Sequence, residues 1–197
     1  MKTHSSRRKG GFTLVELLVV ITIIAVLAGA GFAAGNAAVQ RAKKMTTLAT
    51  CTSMESAVNN FFTEYGSMPK EISTDTEVDT ILDKDLLNVL LAYEQSSGTV
   101  LNSRGIRFLS VKEGKSNKNG LIISGGSTTP TADGLYDPWG GSYKVMLDGD
   151  YNEVIEPKPK GTGATKATLN GKRSAVWSDG ADGVDTTGKI SDDVKTW

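Results

Sequence analysis

The 197-residue chain has one cysteine, Cys51, and one histidine, His4. A lone cysteine cannot close an internal disulfide, so a small exported domain made from this sequence must be held by packing or by an ion. His4 sits in a short basic stretch at the N-terminus. If that stretch is removed, triads of serine or cysteine with histidine, and histidine-based metal sites, are unavailable. Carboxylate-only chemistry needs a cleft, for which the roughly 130 residues after position 66 offer little material. The chain is therefore not expected to be an enzyme. A basic surplus is also missing. Four of the 22 basic side chains (Lys2, Arg7, Arg8, Lys9) precede Phe12 with no acid among them, which leaves 18 against 22 acidic ones downstream. That balance excludes a nucleic-acid partner. No internal repeat is present, and 39% hydrophobic content is ordinary for one modest domain with an appendage.

What the sequence does have is an apolar run over residues 12–34, interrupted by Thr13, Glu16 and Thr22. As a helix it spans about 34 Å, enough for the roughly 30 Å hydrocarbon core, whereas the apolar region of a secretory signal covers roughly 7–15 residues. Length favours a retained span, with the basic leader on the cytoplasmic side and everything after Ala34 outside. An ordinary signal peptide cut near Ala28-Gly29-Ala30 is the alternative, and it leaves Glu16 unexplained. An acidic side chain inside such a helix costs roughly 2.5–3.5 kcal/mol on insertion scales and needs a compensating partner. Cleavage at Gly11 creates one, a cationic amine on Phe12, which Glu16 of a neighbouring subunit can meet when helices stack in register.

The run Gly10-Gly11-Phe12-Thr13-Leu14-Val15-Glu16-Leu17-Leu18-Val19-Val20-Ile21 resembles the prepilin leader shared by type IV pilins and type II secretion pseudopilins. The resemblance covers about the first quarter of the chain. It implies removal of residues 1–11 by an inner-membrane prepilin peptidase, N-methylation of Phe12, and Glu16 as the acid that registers each incoming subunit.

Helical periodicity continues past the span, since Val39, Leu48, Met54, Ala57, Val58, Phe61 and Phe62 recur at spacings of three, four and seven. The pattern predicts one helix from about Phe12 to Tyr65, with Gly66 capping it and Pro69 blocking its return. Its parts are a transmembrane or filament-core segment (12–34) and an amphipathic continuation (35–66). Gly29, Gly31 and Gly35 between them suit either bending or close packing of membrane helices. A head over 67–197 follows. Thr74-Asp75-Thr76-Glu77 has capping-box form before Val78, Ile81, Leu82, Leu86, Val89 and Leu90 on one helical face, which predicts a short helix. Runs at 105–111, 120–124, 142–147, 152–156 and 173–178 predict the strands of a small antiparallel sheet. Residues 158–171 read as a mobile loop. The fold class is α+β, a hydrophobic helical spine carrying a small antiparallel head.

Two head motifs sharpen the resemblance. Asp137-Pro138-Trp139-Gly140, and the ending from Ser178-Asp179-Gly180-Ala181-Asp182-Gly183 through Asp193-Val194-Lys195-Thr196-Trp197, are similar to the DPWG turn, the xGADG loop and the terminal D-[IV]-x-x-W of type II secretion major pseudopilins. The resemblance implies one bound calcium ion fixing the C-terminal loop, with Asp182 and Asp193 as side-chain ligands and Asp179, Asp185 and Asp192 as spares. Calcium takes six to eight hard oxygens, and glycines let carbonyls turn toward it. The chain departs from the family pattern at Asp179, commonly uncharged there, and in the spacer 184–189, which lacks the usual glycine-glutamate run. Asp148-Gly149-Asp150-Tyr151-Asn152 superficially resembles an EF-hand start, but Glu153 and Pro159 replace the required glycine and glutamate, so it reads as a hairpin turn. Trp139, Trp177 and Trp197 read as core or anchor residues, and Cys51 as a packing residue.

Together these readings give a structural subunit of a type II secretion pseudopilus. Its expected partners are other pilin-like subunits, the prepilin peptidase and an ATPase-driven inner-membrane platform. The expected location is the bacterial inner membrane as a single-pass protein with a periplasmic head, or a filament in the periplasm or at the cell surface. A type IV pilus subunit is the neighbouring alternative, and a membrane-anchored, calcium-dependent binding module is the alternative from another class.

Overall fold

The computed structural model describes residues 11–94, 99–126, 129–159, 166–183 and 193–197. A 52-residue helix, α1 (Leu14–Tyr65), fulfils the predicted spine. It ends where Gly66 takes φ +67° and donates its N–H to the Phe62 carbonyl (2.8 Å), the left-handed closure that glycine adopts without a Cβ penalty. The chain divides into two compact units, Met1–Ala42 and Lys43–Trp197.

In the second unit α1 contributes a buried stripe of Thr47, Cys51, Met54, Val58 and Phe61, alternating steps of four and three along one face. Against it packs a four-stranded antiparallel sheet in the order β1 (Thr76–Asp79), β4 (Tyr143–Leu147), β7 (Ser174–Ser178), β8 (Val194–Lys195). The register pairs Val78 with Val145, and Val145 with Val176, so that Val78, Tyr143, Val145, Leu147 and Val176 share the face that joins the helix stripe in one core. A short helix, α2 (Asp85–Leu91), adds Leu86, Leu87, Leu90 and Leu91 to that core. Two smaller ladders complete the unit, β2 (Gly120–Ser124) with β3 (Thr131–Tyr136), and β5 (Val154–Ile155) with β6 (Leu169–Asn170).

Several expectations are corrected here. The capping-box pattern at 74–77 starts no helix: Thr76–Asp79 is β1, paired to β4. Val78 is buried against Val145, and the Asp79 carboxylate accepts the N–H groups of Ile81 (2.8 Å) and Leu82 (3.1 Å), which turns the chain before α2 begins. Strand pairing along β4 outweighs a local cap that offers only one or two hydrogen bonds. Leu82, expected on one helical face with Leu86 and Leu90, lies outside α2 and is 85% exposed. Residues 105–111 form no strand, because their hydrogen bonds go elsewhere. Phe108 and Leu109 donate N–H to the Leu90 carbonyl at the end of α2 (2.9 and 3.0 Å), and Ile106 is held on both sides by the Asn102 side chain (N–H to Oδ1 3.0 Å, carbonyl to Nδ2 2.7 Å). The 158–171 loop is structured at its end as β6, with 160–165 outside the described residues. The Asp148–Asn152 segment is a turn but not a hairpin, since β4 pairs with β1 and β7 and not with β5.

Candidate functional site

Gly11 and Phe12, the expected cleavage pair, are both exposed, Phe12 at 77%. Next to them Thr13 and Glu16 form a reciprocal cap on α1. The Thr13 hydroxyl accepts the Glu16 N–H (3.2 Å), while Glu16 Oε2 accepts the Thr13 N–H (2.8 Å) and the Thr13 hydroxyl (2.7 Å). This is the T-x-x-E capping box, with an acid at the positive end of the helix dipole. Glu16 therefore has an intramolecular role that the sequence reading did not assign, although Thr13-Leu14-Val15-Glu16 carries its signature. The cap occupies one carboxylate oxygen, leaving Oε1 and the charge available to a second partner. Downstream, the large apolar side chains from Leu14 to Leu27 are 45% to 78% exposed, and none of the span's most apolar stretch is buried. The helix is long and apolar enough to cross a membrane.

The head carries a second polar site around Asp137. Its side chain is only 1% exposed. Oδ1 accepts three backbone N–H groups, from Trp139 (2.8 Å), Gly140 (2.7 Å) and Gly141 (2.8 Å), which fold the DPWG turn around the carboxylate. A Cβ on Gly141 would lie 2.9 Å from Asp137 Oδ2, so glycine is needed there for close approach. Oδ2 accepts the Ser178 hydroxyl at 2.6 Å, and Ser178 Oγ accepts the Gly180 N–H at 3.2 Å. Burial raises the pKa of the neighbouring Tyr143 phenol, which hydrogen bonds to Thr50 and Thr47 oppose. Burial likewise pushes the Cys51 thiol up to about 12, helped by the charge of Asp137, which leaves it an inert packing group as expected.

The tryptophans anchor this region. Trp177 is buried in β7 and meets Trp197 edge to face at 5.6 Å, the Lys195 ammonium lies 5.6 Å from the Trp197 ring, and the Lys43 ammonium 5.8 Å from that of Trp139. Thr196 fastens the C-terminal end by donating its N–H to the Val176 carbonyl (3.1 Å) and accepting the Val176 N–H (3.2 Å).

Of the expected calcium ligands, Asp179, Asp182 and Asp193 are described, whereas Asp185 and Asp192 lie outside the described residues. The β7–β8 pairing ends with Ser178 opposite Val194, and Asp179 and Asp193 are the next residues beyond it, where the acidic loop leaves and rejoins the sheet. Asp182 is exposed on the loop, between the left-handed Gly180 (φ +77°) and Gly183 (φ +58°). Carboxylates with glycine-freed carbonyls are the hard-oxygen donors that suit calcium. Among the described residues these three do not form a tight carboxylate group. The one such group is Asp75, Asp148 and Asp150, whose oxygens lie within 4.8 Å of one another. Backbone N–H groups already engage it. Asp148 accepts from Asn152 (3.2 Å) and Glu153 (2.9 Å), and Asp75 from Gly149 (3.2 Å). Burial raises the Asp75 pKa, the Gly149 N–H opposes this, and the charges of Asp150, Asp148 and Glu156 raise it further.

A cleft of about 520 Å³ opens beside α2, lined by Pro69, Lys70, Asp85, Asn88, Tyr93 and Leu101 among others. It lies in the 69–134 region, where the resemblance to the pseudopilin pattern implies a more compact stretch.

Residues 6–32 match the family model of the prokaryotic N-terminal methylation motif, the leader type of type IV prepilin-like proteins. No curated protein and no solved structure matches the chain.

Proposed function

We propose that the chain is a structural subunit of a type II secretion pseudopilus, cut between Gly11 and Phe12, methylated on Phe12 and polymerised through the apolar half of α1. One observation carries this reading: the methylation motif at 6–32 leads directly into a helix segment whose apolar side chains nothing among the described residues covers. Before assembly lipid covers that surface, and in the filament the helices of other subunits do. Removal of the leader leaves a charged amine on Phe12, and Glu16 of the incoming subunit neutralises it, using the carboxylate charge that its own cap does not consume. The prepilin peptidase and an inner-membrane platform are the partners this route requires. The head faces the periplasm, and its role is packing, not catalysis.

Calcium is part of the proposal. Asp179, Asp182 and Asp193, with Asp185 from the same loop, would hold it. A bound cation would offset the repulsion among the loop's carboxylates and fasten the loop to the sheet. The tryptophan-ended acidic loop and the lone cysteine favour the pseudopilus over the type IV pilus. The 69–134 region favours the pilus alternative, and its cleft is what a membrane-anchored binding module would use.

Mass spectrometry of the purified mature protein tests the central claim. The expected chain begins with N-methylated phenylalanine at position 12. A chain beginning near Ala30, or an unmethylated one that still carries residues 1–11, would falsify it. Deletion of the gene separates the two filaments: loss of protein export marks the pseudopilus, loss of surface fibres the pilus.

A further inference from the structure

The stretch that joins the apolar run to the head is basic. No acid occurs between Glu16 and Glu55, while Arg41, Lys43 and Lys44 all fall within ten residues of Ala34. Basic side chains so close to a span are disfavoured on its translocated side, so their presence there calls for a compensating anion. Lys43 has basic company in the head. Its ammonium lies 5.8 Å from the centre of the half-buried Trp139 ring in the DPWG turn. The stem of Lys118 runs over the next residue of that turn, since a Cβ on Gly140 would lie 3.3 Å from Lys118 Cε. Lys118 closes a tight hairpin with Lys115. The two exchange N–H to carbonyl bonds (3.2 and 3.3 Å) across Ser116 and Asn117, both at positive φ (52° and 56°). The Asn119 N–H bonds to the Asp137 carbonyl (2.8 Å), which fastens this hairpin to the DPWG turn. Directly paired residues share a face of the ladder, and two like charges held there are destabilising. Among the described residues no carboxylate forms an ion pair with Lys43, Lys115 or Lys118. One indole and three ammonium groups therefore share a corner of the head.

We propose that this corner, Trp139 with Lys43, Lys115 and Lys118, docks on the anionic phospholipid headgroups of the bilayer that holds the chain's own span. The inference rests on residues 12–34 being a membrane span, and it holds for either filament. Lys43 follows Ala34 by nine residues of α1, about 14 Å of helix, so the tether keeps it and the groups packed on it close to the headgroup layer. Indole rings suit a boundary that is apolar on one side and wet on the other. Lysine lays its stem along apolar surface and keeps its ammonium among the headgroups. An anionic membrane surface favours each such lysine about fivefold. Docking holds the head in one orientation on the membrane before assembly.

The experiment places the full processed chain in vesicles of phosphatidylcholine, with or without phosphatidylglycerol, whose acyl chains carry bromine near the headgroup to quench tryptophan. Quenching is expected to be stronger in the anionic vesicles, to weaken as salt rises, and to disappear in Trp139→Phe. Lys115→Gln with Lys118→Gln removes two exposed charges that hold no ion pair, so the melting temperature stays unchanged. The ratio of docked to undocked heads is expected to fall about 25-fold in that variant. Lys158→Gln with Lys166→Gln takes the same charge from the segments around β5 and β6, and should leave the ratio within about twofold. If Trp139→Phe does not fold, the Lys115 and Lys118 variant decides alone. Equal quenching in both kinds of vesicle, or quenching that this variant does not change, overturns the docking surface while the span stands. A signal that depends on the protein-to-lipid ratio assigns the corner to a second copy of the chain and also overturns it. A chain that an alkaline wash strips from the vesicles overturns the span itself.

Discussion

The two halves of α1 are made of the same kinds of residue and handle them in opposite ways. From Leu14 to Leu27 the apolar side chains face outward, with Leu18 54% and Ile24 58% exposed. From Cys51 to Phe61 the apolar side chains of one face have essentially no exposure, and Phe61 stacks on Tyr65 (4.6 Å between ring centroids) and Phe108 (5.3 Å). A continuous apolar face costs a free chain dearly in water. The second half meets that cost inside its own unit, and the first half leaves its apolar side chains exposed, which the proposed function assigns to lipid or to other copies. On the proposed function, folding and assembly use separate stretches of one helix, and each stretch can be perturbed alone.

The largest effect is expected at Glu16, where the comparison is easiest to break. Glutamine at the third helical position can close a capping box as glutamate does, so Glu16→Gln keeps the Thr13 cap and removes only the charge. Cleavage at Gly11 should proceed and filament assembly should fail, as judged by electron microscopy and by cross-linking of processed subunits. If Glu16→Gln assembles like the wild type while Glu16→Ala does not, capping is the function of this residue and the proposed pairing with the Phe12 amine is wrong.

The next effect sharpens the contrast from the folding side. Phe61→Ala removes a fully buried ring and is expected to destabilise the head by about 3–5 kcal/mol, which lowers Tm by roughly 6–20 °C in a unit of this size. Leu18→Ala, in the exposed half, should leave the head's Tm within about 1 °C when near-ultraviolet circular dichroism follows unfolding in micelles. Comparable losses from both substitutions would mean that the two halves do not divide the work.

Legibility in the sequence follows the same division. Both ends of α1 could be read, from an unbroken apolar run and from Tyr65-Gly66 before Pro69, because long periodic segments are governed by their own pattern. Residues 120–124 were read to the residue as β2, and 142–147 and 173–178 lie within one residue of β4 and β7. What failed was decided by distant partners. Thr76–Asp79 carries a helix-start pattern but borders β4, and β3, with Ala132, Asp133 and Gly134 in its middle, has weak strand propensity and forms through pairing with β2. At the N-terminal site the methylation motif that contains Gly11, Phe12 and Glu16 is legible, while the Thr13 cap lies hidden inside an apolar run. At the head site DPWG could be recognised as a motif, but no spacing reveals that Asp137 reaches Ser178, 41 residues on.

The smallest effect lies wholly in the second unit, where Asp75 is held close to Asp148 and Asp150. Burial, then the neighbouring carboxylates, raise its pKa against the pull of the Gly149 N–H. A raised carboxyl pKa means that the fold prefers the proton. Its contribution to stability is present below the unfolded value, roughly 3.9, and is lost as pH rises through the folded one. Asp75→Asn cannot ionise and keeps a carbonyl for Gly149. It is therefore expected to be more stable than the wild type at pH 7. Solvent screening of this half-exposed group limits the gain to about 0.5 kcal/mol, or roughly 1–2 °C in Tm. The advantage should shrink as pH falls through the Asp75 pKa and vanish below about pH 3.5, and added salt should reduce it at neutral pH. The second unit would then be seen to tolerate a repulsive carboxylate cluster because its core, and not its surface charge, sets its stability. An Asp75→Asn chain that melts lower than the wild type at pH 7 would show instead that the three carboxylates attract a counter-charge and belong among the interactions that hold the head together.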